Sequence, residues 1–293
     1  MTGPRWLQSA IVSAAAIRSR PSPAPGRNAP DLTGDWIEPL AAASGAAAWL
    51  YLLLGRGRFW DVRLPPIPET TGSALVVAVI PARDEAASIG RTVSSLLAQR
   101  FAGSLHIVLV DDHSSDGTAL HAREAAEAAG GAERLTVIAA DPLPAGWTGK
   151  LSAVAQGVTQ AGTLRPDFLL LTDADIEHDP DNLAGLLALA QAERRDLVSQ
   201  MVLLSTGSLP ERALIPAFVF FFFMLYPPRW TADPAKSSAG AAGGCILIRP
   251  AMLERIGGIA AIRGALIDDC ALAAAVKREG GRIRLDATQS ARS

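Results

Sequence analysis

The stretch LLLTDADIEH, residues 169–178, sets three acids, Asp173, Asp175 and Glu177, within five positions directly after an apolar run. Like charges that close repel, so something positive must compensate them or the segment must be well solvated. Asp179 and Asp181 have a simple explanation. They stand near the first turn of a following helix, where acids are favoured. Asp173 and Asp175 come earlier, on the last residues of the strand, and capping does not explain them. Residues i and i+2 of an extended segment point the same way, so both can face one ion. All-oxygen ligands favour Mg²⁺ or Mn²⁺, and Mg²⁺ is typically held by one or two carboxylates plus substrate phosphates. D-x-D alone is a weak motif, and its weight depends on what surrounds it.

Working outward, strands and helices alternate on both sides. ALVVAVI (74–80) reads as a buried strand and SIGRTVSSLLAQ (88–99) as a helix. HIVLV (106–110) is a strand and TALHAREAAEAAG (118–130) a helix closed by Gly130-Gly131. LTVIAA (135–140), KLSAVAQGVTQAG (150–162), FLLLT (168–172), DNLAGLLALAQAER (181–194) and DLVSQMVLL (196–204) continue the series. This predicts an α/β fold with a mostly parallel sheet and helices on both faces.

Such sheets bind ligands beyond the carboxyl ends of their strands. Strand 74–80 runs into PARDE (81–85), strand 106–110 into DDHSSDGT (111–118), and strand 168–172 into DAD (173–175). Three strands thus deliver carboxylates to one edge, which is costly unless a cation sits among them. Ser114 or Ser115 and Asp116 suit the cap of the helix from Thr118, with Gly117 in the turn. Asp111 and Asp112 are not needed there, and either can accept a ligand's N–H or O–H. Lys150 follows Gly149 at a helix N-terminus, where free N–H groups and an ammonium suit an anion. Small residues 238–244 suit a loop that something approaches closely. Asp268 and Asp269 precede a helix closed by Gly280-Gly281. One serves as N-cap, and the spare acid is a candidate general base.

The 293 residues are 49% hydrophobic with a formal charge of −2, enough to bury a full core and too balanced for a typical nucleic-acid binder. Cys245 and Cys270 lack metal-type spacing and are expected as free thiols. The mean hydropathy of +0.23 points to membrane contact. Residues 1–35 are expected to be disordered, with RSRPSPAPGRNAPDLTGD (18–35) too polar to order itself. Residues 36–58 are expected to form a transmembrane or membrane-associated helix. Its charge-free run Pro39–Leu54 is borderline in length for a span. Arg56, Arg58 and Arg63 after it place the rest on the cytoplasmic side of the membrane. LPPIPETTGS (64–73) reads as a linker into a domain spanning 74–290. The apolar run in 213–230 is too short to span, and fits either a core helix or an interfacial one near a lipid acceptor.

In order, PARDE, VDDHSSDGT (110–118), DAD and IDD (267–269) resemble the motif series of the inverting family 2 glycosyltransferases over about residues 74–285. The resemblance implies a GT-A type fold, a nucleotide-diphosphate sugar donor and a divalent metal. It implies that Pro81, Arg83, Glu85 and Asp112 line the nucleotide pocket, that Asp173 contacts the ribose or sugar, that Asp175 holds the metal, and that Asp269 is the base. GWTGKLSAVAQG (146–157), PPRW (227–230), AGGCILIRP (242–250) and GALIDDCALAAAVKR (264–278) look like the bacterial hopanoid-biosynthesis-associated glycosyltransferases, which are membrane-linked. Family members acting on lipids or polymers often carry Q-x-x-R-W after the base, and no such motif occurs before Ser293. The hopanoid-associated proteins are expected to continue into C-terminal membrane helices. One alternative is therefore a shortened, inactive scaffold, and another is a nucleotidyltransferase, which also collects acids at strand ends around Mg²⁺. The latter usually has a Gly-rich basic loop at the first strand, where PARDEAAS has an acid pair.

Overall fold

A computed structural model of the protein describes residues 36–62, 64 and 72–293. The expected disorder of 1–35 and most of the expected linker fall outside these residues. The chain divides into two units, one ending at Trp49 and one running from Leu50 to Ser293. The described part of the first is most of α1 (Ile37–Leu50), whose course continues as a wider turn through Gly55. Together they make a 19-residue apolar helix, long enough by length and composition to cross a membrane.

The second unit is built on eight strands: β1 (Ala74–Ala82), β2 (Gly103–Asp111), β3 (Leu135–Ala139), β4 (Phe168–Thr172), β5 (Glu177–His178), β6 (Leu197–Leu203), β7 (Cys245–Ile248) and β8 (Ile283–Arg292). They form one sheet in the order β3-β2-β1-β4-β7-β6-β8-β5. β1 is parallel to β2 and β4, β2 to β3, and β6 to β8. The later strands break the parallel rule: β7 is antiparallel to β4 and β6, and β5 to β8.

The helices are α2 (Ile89–Leu97), α3 (Thr118–Ala128), α4 (Gly149–Gly162), α5 (Asn182–Ala192), α6 (Leu209–Leu225), α7 (Pro228–Ala232), α8 (Pro250–Arg255) and α9 (Asp268–Arg278). The alternation of β1 splits its burial. Val76, Ala78 and Ile80 join a core with α2, α3 and α5, while Val77 and Val79 join one with α4, α8 and α9. Helices therefore cover both faces. Register levels the strand ends: Ala82 pairs with Asp111, and Val79 with Leu171, so Asp173 emerges beside Pro81.

α6 starts with a capping box between Ser208 and Glu211. Val219, Phe222, Phe223 and Tyr226 form its inward stripe and pack with Met201, Ala242 and Leu285. Its outward face is apolar and open, with Leu214, Phe218 and Phe221 each more than half exposed. A helix with so little of its surface covered is not a core helix. With α7 it makes a second apolar stretch of 24 residues, Leu209–Ala232, long enough to cross a membrane. The segment after Leu50 belongs to this unit. Phe59 is buried edge-on against Phe220, and the Arg56 guanidinium donates to Met224 O at 3.0 Å and lies over Trp230.

Candidate active site

The first two acid-bearing loops are laced together. Asp84 and His113 both take left-handed backbone conformations, with φ of 54° and 61°. This lets the Asp84 N–H donate to Ser114 Oγ (3.0 Å) while Asp84 Oδ1 accepts from the Ser115 N–H (2.8 Å). Alongside, the Glu85 N–H donates to Thr118 Oγ1 and the Ala86 N–H to Asp116 Oδ2. Asp116 also accepts from the Thr118 N–H at 3.0 Å, so it shapes the turn into α3 as expected, although Gly117 occupies the cap position. The two candidate acids of this loop part company. Asp111 Oδ1 accepts from the Ser114 N–H and turns the loop. Asp112 faces the cleft, 3.8 Å from Arg83 and tight against Gly149.

The cleft that results is open, about 920 Å³, and is lined by Pro81, Arg83, Glu85, Asp112, Lys150, Asp173 and Asp175 among others. A smaller adjoining pocket of about 400 Å³ is lined by Pro81, Lys150 and Asp173 together with Asp268 and Asp269. Ten candidate residues were singled out by the sequence, and nine of them meet in these two spaces. Asp111 alone of the ten stands behind the wall.

Lys150 is the hinge of the charge pattern. Thr148 caps α4, which puts Lys150 in the first turn pointing at the acids. Its Nζ lies 2.7 Å from Asp173 Oδ1 and 3.8 Å from Asp268 Oδ2. Burial alone would depress this ammonium, but Asp173, Asp268 and Asp269 outweigh it and hold the pKa above the usual lysine value. Asp175 is partly open to solvent, with its carboxylate partly desolvated, and among the described residues no cation forms a salt bridge with it. Burial and then the neighbouring Asp173 push its pKa up, with Glu85 adding to the effect.

Asp269 is half-buried, and α9 begins one residue before it. The expectation that one of the pair caps the helix is not met. Ile267 occupies the cap position without a side-chain bond, and both acids lie in the first turn, where they favour the helix dipole. Asp269 Oδ2 accepts from the Gly243 N–H at 2.8 Å and Oδ1 from its neighbour's Cys270 N–H at 2.7 Å. Burial raises its pKa, those two N–H groups and Lys150 pull it back, and the net is upward.

Residues 77–257 match the family described as Glycosyl transferase family 2. The chain belongs to that family. The family 2 chain therefore carries a glycosyltransferase domain over more than half its length. No curated protein sequence matches it. Among solved structures, the mannosyltransferase PcManGT from Pyrobaculum calidifontis, in complex with GDP-Man and Mn²⁺, is similar at 21% identity and a TM-score of 0.61. That match covers 87% of this chain and 67% of the other. Residues 1–349 of S. aureus TarS, in complex with UDP, are similar at 16% identity and a TM-score of 0.51, covering 74% of this chain and 60% of that one. These likenesses establish the GT-A type fold. The family 2 chain spans only 36% of a longer S. aureus TarS chain.

Among the described residues, no three His, Cys, Asp or Glu side chains are grouped to hold a metal ion. The donor set of the family 2 chain nonetheless fits a divalent ion that shares its ligands with a substrate. Asp173 and Asp175 supply two carboxylates on the same rim of the cleft, and a cation between them would offset their mutual repulsion. Several contributors were invisible to motif reading. Asp84 and Thr118 act by lacing loops, with Ser114 and Ser115 binding Asp84 instead of capping α3 as expected, and Gly243 acts by a backbone N–H. The only sequence trace of the last is the small-residue run 238–244.

Proposed function

We propose that this family 2 protein is an inverting glycosyltransferase that moves a sugar from a nucleotide-diphosphate sugar to a hydroxyl of a lipid-type acceptor at the membrane. The observation that carries the proposal is Lys150, which sits between Asp173 in the open cleft and Asp268 in the adjoining pocket. An ammonium at that junction is placed to leave its carboxylate partners for a diphosphate. Arg83, Glu85 and Asp112 suit the nucleotide end of the same cleft. Asp173 and Asp175 would hold Mg²⁺ or Mn²⁺, which when bound neutralises diphosphate charge. The GDP-Man, UDP and Mn²⁺ in the similar structures support a nucleotide donor and a metal.

Asp269 accepts the proton of the acceptor hydroxyl. The freed oxygen forms its bond to the anomeric carbon from the face opposite the diphosphate, whose C–O bond breaks, and the configuration inverts. The nucleoside diphosphate carries the electron pair away, and Lys150 balances its charge. A base with an upward-shifted carboxyl is better matched to a hydroxyl than an ordinary aspartate.

The lipid acceptor is supported by apolar surface near the pocket. Leu266, 97% exposed, and Ile267 directly precede Asp268, and the outward face of α6 is open. A hopanoid-type lipid is the specific acceptor suggested by residues 146–157 and 264–278. The arginines after α1 support a cytoplasmic catalytic unit. The test is a melting series with a panel of nucleotide sugars, including GDP-mannose and UDP-sugars, with and without Mn²⁺. One donor is expected to raise Tm only when the metal is present. No shift with any donor refutes the reading.

A further inference from the structure

Tyr226 is the residue at which α6 ends, and two separate segments of the acceptor side rest on it. The base of its ring packs against Gly240 of the loop 238–244. A Cβ built on Gly240 would stand 2.5 Å from the ring's Cγ and 2.8 Å from Cδ1, so no other residue than glycine fits beneath it. Its hydroxyl end adjoins the side chain of Cys270, the residue whose N–H holds Asp269 Oδ1. The Cys270 thiol in turn reaches Ala241 O at 3.5 Å, which ties α9 to the loop 238–244. These two points of support lead to the two N–H groups that hold Asp269. One is the Cys270 N–H, on the residue that Tyr226 adjoins, and the other is the Gly243 N–H, three residues along the loop from Gly240. Between them, Ala242 is fixed twice. Its N–H and C=O both bond Ser199 Oγ, at 2.7 and 3.1 Å, and its side chain packs in the cluster formed by Phe223, Phe222 and Tyr226.

We propose that Tyr226 is a positioning residue for Asp269, fastening the end of the exposed apolar helix α6 to both hydrogen bonds that orient that carboxylate. Tyr226 does not touch the reacting atoms. It sets the angle and the hydrogen-bonding of the group that does. The mechanical sense is that whatever seats α6 also seats Asp269, so lipid contact and base geometry are linked through one side chain. The proposal rests on the reading of Asp269 as the base for its catalytic meaning, while the positioning itself is testable without it.

The experiment is a carboxyl titration by ¹³C NMR on aspartate-labelled full-length protein, with the Asp269 signal assigned from Asp269→Asn. Wild type, Tyr226→Phe and Phe218→Ala are compared, with amide exchange at Gly243 and Cys270 measured on the same samples. The groups that face Asp269 are Lys150 from α4, Asp268 and the Cys270 thiol from α9, and the Tyr226 hydroxyl from α6. Tyr226→Phe keeps the ring on Gly240 and removes only the hydroxyl. It is expected to raise the Asp269 midpoint by about half a unit or more, because N–H groups that favour the ionised form are loosened. Exchange at both amides is expected to rise about tenfold. Phe218→Ala, on the outward face of the same helix, is expected to change neither. Unchanged titration and exchange in Tyr226→Phe overturn the proposal, as does an equal change in Phe218→Ala. A merely structural loss would lower Tm without moving the midpoint, and that result also overturns it. Should Asp269→Asn still transfer sugar while Tyr226→Phe moves the midpoint, the base reading falls and the positioning stands.

Discussion

Gly157→Ala is the sharpest test of how α4 is seated. Gly157 lies on the face of α4 that meets the sheet. A Cβ there would stand 2.5 Å from Val79 Cγ1 and 2.9 Å from Val110 Cγ2. Carbon atoms prefer about 3.5–4.0 Å, so about 1 Å of relief is required. Neither neighbour is a flexible tip. Both valines are fully buried, one on β1 and one on β2, and a β-branched side chain has few rotamers to retreat into. The helix must therefore lift. Overpacking of this kind costs about 1–3 kcal/mol, and alanine returns up to about 1 kcal/mol in helix propensity. The net expectation is a loss of about 1–2 kcal/mol, or roughly 2–8 °C in Tm for a domain of this size. Lifting α4 also draws Lys150 from Asp173, so the donor-induced melting shift should shrink. Gly90→Ala is the control. There the new Cβ meets only Ala125 Cβ at 3.8 Å, an ordinary contact, and the change should be neutral or stabilising. Thermal melts of both variants decide the matter. If Gly157→Ala melts at or above the parent, the close seating of α4 is not what it is taken to be.

Lys150→Met should alter Tm of the free protein by less than about 1 kcal/mol-equivalent, since its ion pair is half-exposed, yet abolish the melting shift with donor and Mn²⁺. A retained shift would remove Lys150 from the diphosphate site. His178 is buried, accepts from Asn182 Nδ2 at Nδ1 and donates from Nε2 to Thr172 Oγ1, and burial lowers its pKa to about 4. Its folded pKa lies below the unfolded value near 6.5, so its contribution is full above pH 6.5 and is lost as pH falls toward 4. Urea unfolding should show about 2 kcal/mol less stability at pH 5 than at pH 7, and His178→Gln should flatten that difference. Equal slopes in both proteins would contradict the assignment. Phe218→Cys, labelled with an environment-sensitive dye while Cys245 and Cys270 stay buried, should shift to the blue when vesicles are added. An unmoved spectrum would mean that the outward face of α6 does not enter lipid.

The first two-thirds of the fold was legible because its signals are local. β1, β2, β3, β4 and β6 are apolar runs, and the helices between them repeat at helical spacing. β5, β7 and β8 were not read as strands. β7 is only four residues long, and β8, IRLDATQSAR, is largely polar and becomes a strand through its long-range pairing with β6. The candidate site was legible as acids at strand ends, but the division of labour among them was not. Asp111 and Asp112 are neighbours of identical type. Which one faces the cleft is decided by the Ser114 N–H that engages Asp111. Lys150 was recognisable at a helix start, while its partners Asp173 and Asp268 lie 23 and 118 residues away and come together only by folding. The region 213–230 left core and interface open because length and composition are alike in both. Exposure of Phe218 and Phe221 separates them.

One buried hydroxyl has consequences for how the cleft can open. Thr172 Oγ1, next to Asp173, donates to Gly244 O, next to Gly243. The strand end bearing D-x-D and the loop gripping Asp269 are thus bolted together one residue from each working group, inside an antiparallel pair of strands. The two sides of the cleft cannot part along that seam as jaws do. The freedom to move is left to the rim, where Arg83 and Leu266 stand exposed.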